Sequence, residues 1–185
     1  YESLGDIRGR TAALNTLANV AYARGQLQKA SGYYEEALAS LREIDDPLAM
    51  TKVLSNLANA LQLSGDLEGA RARQEEVLAL ARQTGDSSIP PYAHCGLGSI
   101  ELTEGYPARA MERYEQALDG FEGTGEKSGK AYALFSQGEV LFAQDRLREA
   151  EAKHLEALRI REELAQALDV AESQMSLAEL ALEKR

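Results

Sequence analysis

Residues 97–117 read LGSIELTEGYPARAMERYEQA, and this stretch decides the fold. Gly105 interrupts one apolar-periodic run, and Pro107 opens another in which Ala110, Tyr114 and Ala117 fall four and three residues apart, on one helical face. A helix ending at a glycine and a second helix opening on proline make a helix–turn–helix unit. The same residue types return at a step of forty. Ala18, Ala58, Gly98, Gly138 and Ala178 form one column, and Ala30, Ala70, Ala110 and Ala150 a second. Ala37, Val77, Ala117 and Ala157 form a third, with Leu38, Leu78, Leu118 and Leu158 beside it. A strict period in this range means stacked helix pairs, because one pair cannot bury its apolar face without neighbours.

Working outward at that step, the chain divides into repeats 7–46, 47–86, 87–126 and 127–166 and a partial repeat 167–185, all within one domain spanning 1–185. Each repeat holds a first helix (A) and a second (B). The A helices are expected near 7–24, 47–64, 88–104, 128–144 and 168–184, and the B helices near 27–43, 67–83, 107–122 and 147–163. The fold class is all-α: four helix pairs and a fifth first helix. Gly25, Gly65 and Gly105 stand between A and B, where a left-handed cap favours a residue without Cβ. Asp145 fills that column in the fourth repeat and tolerates the geometry less well. Gly5-Asp6, Asp45-Asp46, Gly85-Asp86 and Gly125-Glu126 read as a helix stop followed by an acidic cap. The small columns let paired backbones approach closely, with Leu17, Tyr34 and Leu38 filling the gaps of the first pair. Ala13 and Val20, repeated as Val53 and Ala60, Ala93 and Ile100, and Ala133 and Val140, mark the face of each A helix that docks on the preceding pair.

Composition narrows the function classes. The 185 residues contain no Trp and one Cys and carry a formal charge of -10. An acidic chain is a poor partner for nucleic acid, which needs clustered Lys and Arg. A single Cys95 permits neither an internal disulfide nor a thiolate zinc cage, and it is compatible with a cytoplasmic setting. No apolar run is long enough to span a membrane, so no membrane association is expected, and no signal peptide is visible. The chain begins at Tyr1, and residues 1–5 align with the end of a B helix, as expected of a segment from a longer protein.

Signals for catalysis fail singly. Gly96-Leu97-Gly98 lacks a third glycine and a preceding strand. Gly125-Glu126-Lys127-Ser128-Gly129-Lys130 superficially looks like a phosphate loop, but Ala131 follows where Ser or Thr is needed, and the segment aligns with an inter-repeat turn. His94 and His154 fall at helix interfaces without ligand spacing or a partnered nucleophile. No catalytic residue, metal site or cofactor is expected. Glu101 is the anomaly: its column otherwise holds Ala21, Leu61, Leu141 and Ala181, so it should snorkel outward or loosen its repeat.

Leu17-Ala18-x-x-Ala21, the turn at Gly25, then Ala30-x-x-x-Tyr34-x-x-Ala37 resembles the tetratricopeptide repeat (TPR), and Leu97-Gly98 with Gly105, Ala110, Tyr114 and Ala117 is the best match. The resemblance covers essentially the whole chain. The period of forty exceeds the usual 34 and the proline that closes helix B is missing, as in the longer repeats of Pins-type adaptors and of bacterial regulators. The latter include Rap- and PlcR-like peptide receptors and the TPR segments of MalT-like transcription factors or signalling ATPases. HEAT and armadillo repeats also have periods near forty; the small A-helix column followed at twelve by Ala favours TPR.

The resemblance implies a right-handed superhelical solenoid whose A helices line a concave, peptide-binding groove. Its groove columns map onto Asn19, Asn59, Ser99, Glu139 and Glu179; Asn15, Ser55, Cys95, Phe135 and Met175; Tyr22, Gln62, Leu102, Phe142 and Leu182; and Ala12, Lys52, Tyr92, Tyr132 and Glu172. Asn19 and Asn59, with Asn15 and Asn56 beside them, offer the paired donors and acceptor that an extended peptide backbone needs. Tyr22, Tyr92, Tyr132, Phe135 and Phe142 offer apolar pockets for ligand side chains. Glu139 and Glu179 make one end of the groove acidic and attractive to basic residues. Cys95 and Ser99 stand where a chaperone-type carboxylate clamp needs Lys and Arg, which disfavours an acidic tail as ligand. The expected role is an interaction scaffold for a protein or peptide, with a ligand-responsive sensor and a self-assembly module (a homodimer included) as alternatives.

Overall fold

The computed structural model describes residues 4–183, with side chains described from Ile7 onward. Among these residues every regular element is a helix: α1 (Leu4–Ala23), α2 (Leu27–Glu43), α3 (Pro47–Ser64), α4 (Leu67–Thr84), α5 (Pro90–Thr103), α6 (Pro107–Thr124), α7 (Lys127–Ala143), α8 (Leu147–Glu163) and α9 (Ala167–Glu183). They gather into two compact units, Tyr1–Ile89 and Pro90–Arg185. In the first, α1 pairs with α2, α2 with α3, and α3 with α4; in the second, successive helices from α5 to α9 pair in the same way and α5 also touches α7. No helix is long and apolar enough to cross a membrane among the described residues.

The boundaries follow from local chemistry. Gly25, Gly65 and Gly105 take φ of 70°, 89° and 84°, the left-handed caps that end each A helix. Asp145 adopts φ 58° in the same role, and Asp45 and Ala165 take φ 48° and 54° where Gly85 and Gly125 serve between repeats. Asp46 Oδ1 accepts from Ala49 N–H at 3.1 Å, and the Glu126 carboxylate accepts from Ser128 and Gly129 N–H, so both acidic residues cap the next A helix. Asp66 also caps α4, through Gly69 N–H at 2.9 Å. Asp86 instead accepts from Ser88 N–H and Oγ, making a turn, and α5 starts at Pro90 rather than 88. A proline at the first helical position, with a second behind it, favours that late start. At the other end of the chain, Gly5 and Asp6 lie inside α1, not in a turn. The alignment of residues 1–3 with a preceding B helix falls outside the described residues.

The small columns are the contact surface. Ala30, Ala70, Ala110 and Ala150 are fully buried, as are Ala18 and Ala58 to within 1%. A Cβ added at Gly98 would stand 2.9 Å from the Tyr114 ring, and one at Gly138 would stand 2.7 Å from the His154 ring. The docking face is equally clear in α7, where Ala133 and Val140 share a core with Ala117, Tyr114 and Phe121 of α6. Val53 and Ala60 of α3 are buried likewise.

Several residues depart from the repeat. Leu17, expected to fill the first pair, is exposed, as are Ala13 and Val20, because no described helix covers that face of α1. Ala178 is exposed for the same reason on α9. Glu101 neither snorkels nor loosens its repeat. It is 1% exposed and meets Arg113 Nε of α6 at 3.5 Å, so a charged contact replaces the apolar one of its column. The Gly125–Lys130 segment is a cap and the first turn of α7.

Candidate functional site

Three of the expected groove residues, Asn19, Ser99 and Glu139, meet B-helix side chains fifteen residues further along the chain. In the first unit, Asn19 lies exposed on α1, and its Oδ1 accepts from the Tyr34 hydroxyl of α2 at 2.6 Å. Burial raises the Tyr34 pKa, with the nearby Tyr22 adding to it, so the phenol remains a donor. Its bond holds the carboxamide oxygen and leaves the two amide N–H donors of Asn19 for other partners. Asn15, one turn earlier and half-buried, has its Oδ1 enclosed without a hydrogen-bond partner. On α3, Asn59 and Lys52 are exposed and Asn56 is half-buried, while Ser55 donates back to the Thr51 carbonyl at 3.0 Å. Tyr22 is half-buried beside Tyr34.

In the second unit the same register joins different chemistry. Ser99 of α5 hydrogen-bonds the Tyr114 hydroxyl of α6, and the Ser136 hydroxyl of α7 hydrogen-bonds the phenolic oxygens of both Tyr114 and Tyr132. Desolvation pushes both phenols up, so they stay neutral. Tyr132 keeps 46% of its surface exposed above this network. Glu139 Oε1 stands 3.2 Å from His154 Nε2, out of line for a hydrogen bond but close enough for a charge contact when the ring is protonated. Tyr92 is turned aside: its hydroxyl donates to Glu126 at 2.9 Å and its ring meets Phe121 edge-on at 4.8 Å. Burial and Glu126 push its pKa up to about 12.

Two expected groove positions are core. Cys95 and Phe135 are buried, Cys95 beside Tyr132 and Phe135 beneath Arg161, whose guanidinium lies 4.4 Å from the ring centroid. Burial pushes the Cys95 thiol up to about 12 and leaves it unreactive. Arg161 itself is buried. It donates to the Asp169 carbonyl at 2.9 Å and Ser173 Oγ at 2.7 Å, and it pairs with Glu172 at 3.2 Å, tying α9 to α8. Met175, in the same column as Cys95 and Phe135, is exposed. Sequence reasoning missed Tyr34, Tyr114, Ser136 and His154 as the groups behind the groove. The signal was the constant spacing 19 to 34, 99 to 114 and 139 to 154.

No curated protein sequence matches the chain significantly. Its structure is similar to that of BtubC (BKLC) from P. vanneervenii, at 22% identity and a TM-score of 0.78, over 95% of this chain and 73% of that one. It is also similar to a Rap protein complexed with competence and sporulation factor, at 14% identity and a TM-score of 0.84, over 95% of this chain and 49% of that one. A signal transduction ATPase with numerous domains and a tetratricopeptide repeat sensor, from Pyrococcus horikoshii, is similar at 15% identity and a TM-score of 0.75, over 93% of this chain and 27% of that one. These likenesses show the fold, an all-α TPR-type helical repeat, and the chain spans less than half of the last two proteins. At the sequence level residues 9–184 match the MalT-like TPR region, and the chain belongs to that family.

Proposed function

We propose that this chain is a non-catalytic binding module that takes an extended peptide or protein segment along its A helices. The observation that carries the reading is the anchored amide of Asn19. Tyr34 holds its oxygen at 2.6 Å, so the amide of this exposed residue is oriented before any ligand arrives. Such preorganisation leaves the ligand to bear most of the ordering cost. Asn59 and Lys52 extend the polar face on α3. In the second unit, taken by itself, Glu139, Glu172 and Tyr132 favour basic residues in whatever segment binds there.

A sensor reading is supported by the relatives: one similar structure is a Rap protein complexed with competence and sporulation factor, and another is a signal transduction ATPase with a tetratricopeptide repeat sensor. In that reading the bound segment alters an attached effector domain, and the setting is cytoplasmic.

Selection from a displayed peptide library tests the proposal. Enriched peptides should lose at least tenfold in affinity to Asn19→Ala/Asn59→Ala protein of unchanged helicity. Enrichment of no peptide, or equal binding to the variant, would refute it.

A further inference from the structure

The second unit ties down an aromatic ring and a carboxylate with buried polar groups, yet leaves both residues exposed. Tyr132 of α7 has its hydroxyl hydrogen-bonded to the buried Ser136, while the residue keeps 46% of its surface in water. Glu172 of α9 is held in the same manner. Buried Arg161 pairs with it at 3.2 Å, and its side chain remains 56% exposed. Burial chiefly raises the Tyr132 phenol; Glu172 adds to the rise and Arg161 opposes it, so both charges lie near the hydroxyl. Tyr132 and Glu172 belong to one repeat column, in which Ala12, Lys52 and Tyr92 are exposed as well. The exposure therefore follows from the column's place in the repeat, since Lys52 and Tyr132 sit on helices packed on both sides.

What such a pair holds is already displayed in the core beside it. The Arg161 guanidinium lies 4.4 Å from the centroid of the Phe135 ring while it pairs with Glu172, so one ring and one carboxylate share a planar cation. Phe135 is less than one helical turn from Tyr132 on α7. A guanidinium suits this arrangement because it stacks on a ring and forks onto a carboxylate at once. Lysine carries a compact, strongly hydrated charge and lacks the planar fork. A carboxylate accepts several hydrogen bonds, so Glu172 can serve a second donor beside Arg161. Glu139 lies two turns along the same face of α7 and adds a field of the same sign.

We propose that Tyr132 and Glu172 form a clamp for an arginine side chain of the bound segment, its guanidinium stacked on the phenol ring and hydrogen-bonded to the carboxylate. The clamp presupposes the ligand-bearing A helices proposed above and narrows the basic residue to arginine. Ser136 and Arg161 act as positioning residues. They fix the ring and the carboxylate before the ligand arrives, which lowers the ordering cost of binding.

NMR titration of the chain with N-acetyl-arginine N-methylamide tests this, with the corresponding lysine and uncharged citrulline amides as comparisons. The arginine probe should shift the Tyr132 ring and Glu172 backbone signals saturably. The lysine probe should bind more weakly, and the citrulline probe should not bind. Read at Glu172, Tyr132→Leu should weaken the arginine probe about two- to fivefold, the weight of an exposed cation–π contact. Tyr132→Phe keeps the ring and should keep the affinity. Glu172→Gln, whose amide oxygen can still accept from Arg161, should lose most of the preference for arginine over citrulline. Each variant is checked for helicity. No saturable shift, citrulline bound as well as arginine, or a Tyr132→Leu protein equal to the parent would each overturn the clamp. Those outcomes leave the segment-binding reading standing, which fails instead when no displayed peptide is enriched.

Discussion

The Tyr34 hydroxyl donates to Asn19 Oδ1 at 2.6 Å, joining a B-helix residue to the exposed face of the preceding A helix. The bond belongs both to the packing of α1 on α2 and to the orientation of a proposed ligand contact. Tyr34→Phe separates these roles while keeping the ring. It should cost about 0.5–1.5 kcal/mol in urea unfolding, the net value of one hydrogen bond. It should also weaken a selected peptide severalfold while leaving the helical signal unchanged.

Gly138 is small because the His154 ring occupies the space a side chain would need. A Cβ there would lie 2.7 Å from the ring. Gly138→Ala should therefore destabilise the protein by about 1–3 kcal/mol, the usual cost of overpacking. Thermal unfolding followed by circular dichroism measures it, and Gly123→Ala is the control, since nothing stands within 4 Å of its added Cβ.

Glu101 and Arg113 should respond asymmetrically. Arg113→Ala weakens the pairing of a carboxylate that is 1% exposed and should cost about 1–3 kcal/mol. Glu101→Leu restores the apolar residue type of its column and should be neutral or stabilising, because Arg113, 32% exposed, can turn to water. Urea unfolding of the two variants tests the order.

His94 makes stability depend on pH. Desolvation, and then the charge of Arg113, hold its pKa below the ordinary histidine value. The unfolded chain therefore binds the proton more readily, and stability is lost as pH falls through about 6.5. His94→Gln should unfold with a flatter pH dependence than the parent between pH 7 and 5. Because His154 is present in both proteins, the difference in slope belongs to His94.

Helix positions and turns were legible because they depend on local chemistry. The left-handed glycine caps, the acidic caps and the small columns each answer to backbone geometry or to one neighbouring helix, and each recurs every forty residues. Glu101 was legible as an anomaly but not as a buried ion pair, since its partner lies on another helix twelve residues on.

The forty-residue period by itself determined the helix pairs, their boundaries to within a few residues and the columns that pack. Only the tertiary structure decided which members of one column reach solvent. Asn15, Cys95, Phe135 and Met175 share a register, yet Cys95 lies beside Tyr132, Phe135 lies beneath Arg161, and Met175 stands exposed. A helical period sets the direction of a side chain relative to its own axis. What covers that side chain depends on large groups arriving from other helices, and those do not repeat.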